Sequence, residues 1–156
     1  MEINLFLADW AIRLLENKDA VKKEIVNVER NCKGFDFCIQ YKEKTKYFLV
    51  NPILNSSIFE KIKKEDSFGI ITLNNPANIK FLTSEWKKLA EYRFLSFYFI
   101  NPFSNTEKAW IINPHTHNKI CDISSLETGL RSMAEMVEPI TIGEAESRLK
   151  SQQSSN

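Results

Sequence analysis

Between residues 34 and 54 the chain reads GFDFCIQYKEKTKYFLVNPIL. Two runs rich in aromatic and β-branched residues, Phe35–Tyr41 and 47–53, flank the polar connection 42–46. Strand formers on both sides of a short charged link predict a β-hairpin. In the first run Phe35, Phe37, Ile39 and Tyr41 alternate with Asp36, Cys38 and Gln40, so one face is apolar and the other carries a lone carboxylate. The second run ends at Val50-Asn51-Pro52, where proline removes a backbone donor and closes the strand.

The rest of the chain is read outward from this hairpin. Residues 2–17 place Ile3, Phe6, Leu7, Trp10, Leu14 and Leu15 at three- and four-residue steps, the period of an amphipathic helix. Alternation over 22–30 predicts a first strand, with a turn at 31–34. After Pro52, Asn55, Ser56 and Ser57 offer caps for a short helix containing Ile58, Phe59 and Ile62. The run SFGIITLN at 67–74 is almost wholly apolar, as in a strand covered on both faces. A long helix is expected after Pro76, then two more strands over 93–101 and 109–113, and a last helix capped by Asp122 or Ser124. Four prolines follow asparagine at the end of apolar runs, at 52, 76, 102 and 114, and these Asn-Pro pairs are read as strand-ending turns.

Together these periods predict one α/β (α+β) domain over residues 1–146, with a central mixed sheet, an αβββαβ core and helices on both faces. Residues 147–156 are expected to form a disordered polar tail. The longest apolar runs are far too short to span a bilayer, no secretory leader is expected, and a cytoplasmic location follows. Cys32, Cys38 and Cys121 are odd in number and lack close pairing, so reduced thiols are expected. Net charge is +1, so bulk electrostatics forces neither a nucleic-acid nor a membrane partner.

The order helix, three strands, helix, strand over roughly residues 2–75 resembles the PD-(D/E)XK, restriction-endonuclease-like nuclease superfamily. The resemblance implies a carboxylate opening the second strand, which falls on Asp36. It implies an acid-x-lysine motif on the third strand, which falls on Asn51 and Ile53. An amide supplies no charge to Mg²⁺, and isoleucine cannot stabilise developing negative charge, so the implied site is degenerate. The expectation is therefore a nuclease-like domain without catalysis, acting as a nucleic-acid-binding or assembly module. One alternative is an active Mg²⁺-dependent nuclease with a migrated site built from Glu24 or Glu29, Asp36 and a lysine from Lys42, Lys44 or Lys46. The other is a protein-interaction module with no nucleic-acid role.

Candidate partners are thus DNA or RNA, a second copy of the chain or another protein, with no membrane. The residues expected to meet phosphates are Lys42, Lys44 and Lys46 at the hairpin tip, with Lys61, Lys63 and Lys64 on the following helix. His115, His117 and Asp122 are a candidate metal set, weighed against a polar turn in which Asp122 is a cap. Isolated glycines exclude a phosphate-cradling loop.

Overall fold

A computed structural model describes residues 2–154. Six strands lie side by side in chain order: β1 (Ile25–Cys32), β2 (Phe35–Tyr41), β3 (Thr45–Val50), β4 (Ser67–Leu73), β5 (Leu95–Ile100) and β6 (Ala109–Ile112). The β1–β2, β2–β3 and β5–β6 pairs are antiparallel, whereas β3–β4 and β4–β5 are parallel. The sheet is mixed, as predicted. All seven residues of β4 are buried, which suits a central strand with parallel neighbours on both sides.

Helices cover both faces. On one, α1 (Ile3–Lys18) sets Leu7, Ala8, Ala11, Ile12 and Leu15 against Phe37, Ile39, Phe48, Ile71 and Tyr98. On the other, α2 (Pro76–Ser84), α3 (Trp86–Leu89) and α5 (Leu126–Ala134) bury Leu82, Trp86, Leu89 and Leu130 against Phe68, Ile70, Phe97, Phe99 and Trp110. A short α4 (Pro114–Ile120) precedes α5, and α6 (Ile142–Ser154) packs beside α1. Stacked pairs brace each layer, Phe37 on Phe48 at 4.6 Å and Phe99 on Trp110 at 4.4 Å. No described helix is long and apolar enough to cross a membrane.

Several local expectations are corrected. The connection from β3 to β4 carries only a 3-10 turn, Ser56–Glu60, capped by the Asn55 side chain on Ser57 N. The long helix after Pro76 breaks at Glu85, where Thr83 Oγ1 and Ser84 Oγ bond back to the Ile79 and Phe81 carbonyls and so compete with the helical ladder. Two of the Asn-Pro pairs start helices. Asn75 caps α2 through Asn78 N and Asn113 caps α4 through Thr116 N, each with proline at the first turn.

The tail expected to be disordered from residue 147 instead continues α6 as far as Ser154, and the rest of it lies outside the described residues. Thr141 and Glu144 form a reciprocal capping box, Glu144 N on Thr141 Oγ1 and Thr141 N on Glu144 Oε1, and Ala145 and Leu149 bury one turn apart. The cysteines are corrected too: Cys32 and Cys38 are joined as a disulfide and Cys121 is free.

Candidate functional site

Asp36 lies where the β2–β3 ladder runs out. Its Oδ2 accepts the backbone N–H of Val50 at 2.7 Å, replacing a ladder bond. Asn51 follows β3, and its backbone N–H donates to the Ile71 carbonyl. Glu29 is exposed on the edge strand, opposite Cys38. Among the described residues no three His, Cys, Asp or Glu side chains converge so as to hold a metal. These residues do not fit Mg²⁺, because one carboxylate already serving a backbone donor lacks the charge and number of oxygens the ion needs.

The residues of the migrated alternative divide between two places: Asp36 is engaged by the Val50 N–H beside β3, whereas Lys42, Lys44 and Lys46 line a cavity with Glu24, where Lys46 lies over the Phe48 and Tyr98 rings.

His115, His117 and Asp122 are likewise not brought together. His115 and His117 sit two residues apart on α4, so their rings leave the helix on different sides. His115 Nδ1 bonds the Ala90 carbonyl at 2.9 Å, His117 meets the edge of Trp86, and Asp122 caps Ser124.

The six lysines divide into unlike environments. Lys64 pairs with Glu91. Lys61 and Lys63 join Lys33, which the sequence reading missed, around a cavity of about 440 Å³ lined also by Phe35, Tyr47, Phe68 and Asp66. Here the β1–β2 turn supplies part of the wall. Asn31, Lys33 and Gly34 take positive φ, and Lys61 Nζ donates to the Gly34 carbonyl at 2.8 Å, pinning the turn to the β3–β4 connection. The ring of Phe35 lies 5.2 Å from Tyr47 and 5.5 Å from Phe68, and Lys33 Nζ stands 5.9 Å above the Tyr47 ring. Phe35 and Tyr47 remain half-buried, and all three lysines are exposed. The result is an aromatic floor with a rim of three ammonium groups and one carboxylate.

Lys42, Lys44 and Lys46 belong to a second cavity of about 430 Å³, shared with Glu24, Tyr41 and Glu43. Lys42 and Lys44 are exposed, but Lys46 is drawn into the sheet. Its Nζ donates to Ser96 Oγ and Tyr98 OH, each at 3.3 Å. Desolvation, helped by the Lys44 charge, pulls its pKa down to about 8. Burial, with a lesser push from Tyr41, raises that of Tyr98 well above the usual phenol. Gly69 makes room for this cluster, since a Cβ there would lie 2.5 Å from the Phe48 ring.

A further cavity, about 960 Å³, lies between α2 and α5 at the carboxyl end of β4. Asn74 in its lining is engaged: Nδ2 donates to the Ala134 and Val137 carbonyls and Oδ1 accepts from Trp110 Nε1. No family model matches this chain, and no curated protein or solved structure is detectably similar to it.

Proposed function

We propose that this domain binds single-stranded nucleic acid, without cleaving it, through the aromatic floor and lysine rim formed by Phe35, Tyr47, Phe68, Lys33, Lys61 and Lys63. The observation that carries the reading is the placing of three exposed ammonium groups around two partly exposed rings. Rings offer a stacking surface to any base, and lysines neutralise phosphates without reading sequence. The engagement of Asp36 by Val50 N supports the absence of catalysis. The hairpin-tip lysines belong to a separate cavity and are not part of this surface.

The test is fluorescence anisotropy of labelled single-stranded DNA and RNA over a salt series. Replacing Lys33, Lys61 and Lys63 together by alanine is expected to lower the salt slope by about 2. Tyr47→Leu is expected to cost about 1–3 kcal/mol of binding at every salt concentration. Absence of binding, or binding that both variants retain, contradicts the reading. A stable dimer lacking nucleic-acid affinity would point instead to an assembly module. Added Mg²⁺ is expected to produce no cleavage, and cleavage abolished by Asp36→Ala would restore the nuclease reading.

A further inference from the structure

Lys46 differs from the other lysines of its cavity in being drawn into the sheet, whereas Lys42 and Lys44 are exposed. Among the described residues none of the three pairs with a carboxylate, although Glu24 and Glu43 line the same cavity. A tetrahedral nitrogen has four positions. Carbon takes one, Ser96 Oγ and Tyr98 OH take two, and one remains for the adjoining cavity. On the neighbouring strand Ser67, in register with Lys46, keeps a buried hydroxyl without a partner. A buried, uncompensated ammonium is costly in any fold, so this pocket shifts the balance toward the neutral amine.

We propose that Lys46 is a carbonyl-condensing amine, and that a small aldehyde or keto compound entering the cavity beside the β2–β3 turn forms an imine on its Nζ. The nitrogen lone pair attacks the carbonyl carbon, and the carbonyl oxygen takes up a proton to give a carbinolamine. Loss of that oxygen as water then leaves the C=N bond. One amine and one carbonyl yield one imine and one water, both hydrogens of which derive from Nζ. Ser96 and Tyr98 already contact the nitrogen and are placed to relay these protons. Tyr98 is protonated at neutral pH like any phenol, and burial raises its pKa further.

Tyr98 contacts this nitrogen and the Lys44 charge acts on it, while Lys42, Glu24, Glu43 and Tyr41 line the same cavity. The lowered pKa of Lys46, to about 8, leaves an appreciable neutral fraction near neutrality, where exposed lysines are almost wholly protonated. The rim itself carries both signs, so neutral and anionic carbonyl compounds are both compatible with it.

The folded protein is treated at pH 7.5 with propionaldehyde in one arm and pyruvate in the other. Sodium cyanoborohydride reduces any imine to a stable secondary amine, and peptide mass spectrometry reads each lysine. Lys46 is expected to label about tenfold or more faster than Lys42 and Lys44, with a rate that saturates in probe concentration. Whichever arm saturates identifies the neutral or the anionic class. Lys46→Arg removes the fast adduct, and Lys42→Arg retains it. Unfolding the wild-type chain in urea is expected to erase the advantage, a readout that needs no variant to fold. Labelling of Lys46 no faster than of Lys42, a rate linear in both probes, or an advantage that survives urea overturns the proposal.

Discussion

Replacing Lys46 by methionine is expected to stabilise the protein at neutral pH, a result that runs against the usual cost of a mutation. The displacement of the Lys46 pKa from 10.5 to about 8 means that holding the charge in the folded state costs up to about 3 kcal/mol. Methionine fills a similar volume against Phe48 and Tyr98 without that charge. Partial exposure screens the cost. Losing the bonds to Ser96 and Tyr98 offsets roughly another 1 kcal/mol. A net gain of about 1–2 kcal/mol at pH 7 remains. The pH dependence carries the stronger signature. Between about pH 8 and 10.5 the unfolded chain holds a proton that the folded protein has released, so wild-type stability rises with pH. The variant lacks that rise, and its advantage shrinks by about 1–2 kcal/mol from pH 7 to pH 9.5. Tyr98 titrates above this range and with the opposite sign, so the series stops at pH 9.5. Urea unfolding followed by tryptophan fluorescence measures both quantities. A variant less stable than wild type at pH 7, or an advantage unchanged at pH 9.5, refutes the reasoning.

Three further expectations concern the scaffold. Asn74→Leu strips partners from Trp110 Nε1 and from the Ala134 and Val137 carbonyls, and is expected to cost about 3 kcal/mol in denaturant unfolding. Gly69→Ala drives a methyl into the Phe48 ring and is expected to cost about 1–3 kcal/mol, read as a lowered melting temperature. Reducing the Cys32–Cys38 bond frees a short loop in the unfolded chain and is expected to lower stability by about 2 kcal/mol, with no change in a Cys32→Ala/Cys38→Ala double variant.

The succession of strands along the chain and the two-sided helical cover were legible because burial imposes period 2 or period 3.6 on the residues that make contact. The run 67–74 announced a strand buried on both faces, and the alternation of Phe35–Tyr41 gave the shared face of Phe37, Ile39 and Tyr41 but not of Phe35, which packs in the other layer with Tyr47 and Phe68. Lys46 was legible in principle. Counting back by two from Val50 and Phe48 puts it on the buried α1 face, but its charge and its place in a polar link argued for the surface. The capping box of Thr141 and Glu144 was overlooked because the residues after it are mostly polar, and the burial of Leu149 and of Ala145, which joins the α1 cluster, decides the helix. Lys33 was missed because its role depends on a turn with three positive φ angles and on an anchor from Lys61, a residue distant in sequence. The resemblance to nucleases pointed to Asp36 as a ligand, and the fold uses its carboxylate to complete a strand edge.

The central claim is that nucleic acid meets the floor formed by Phe35, Tyr47 and Phe68. Titrating ¹⁵N-labelled protein with a short single-stranded oligonucleotide, and following each amide by two-dimensional NMR, tests it most directly. The account predicts shifts confined to the β1–β2 turn around Lys33, to Tyr47 and its β3 neighbours, and to residues 61–68. Shifts clustered instead around α5, or none at a saturating excess of oligonucleotide, would contradict it.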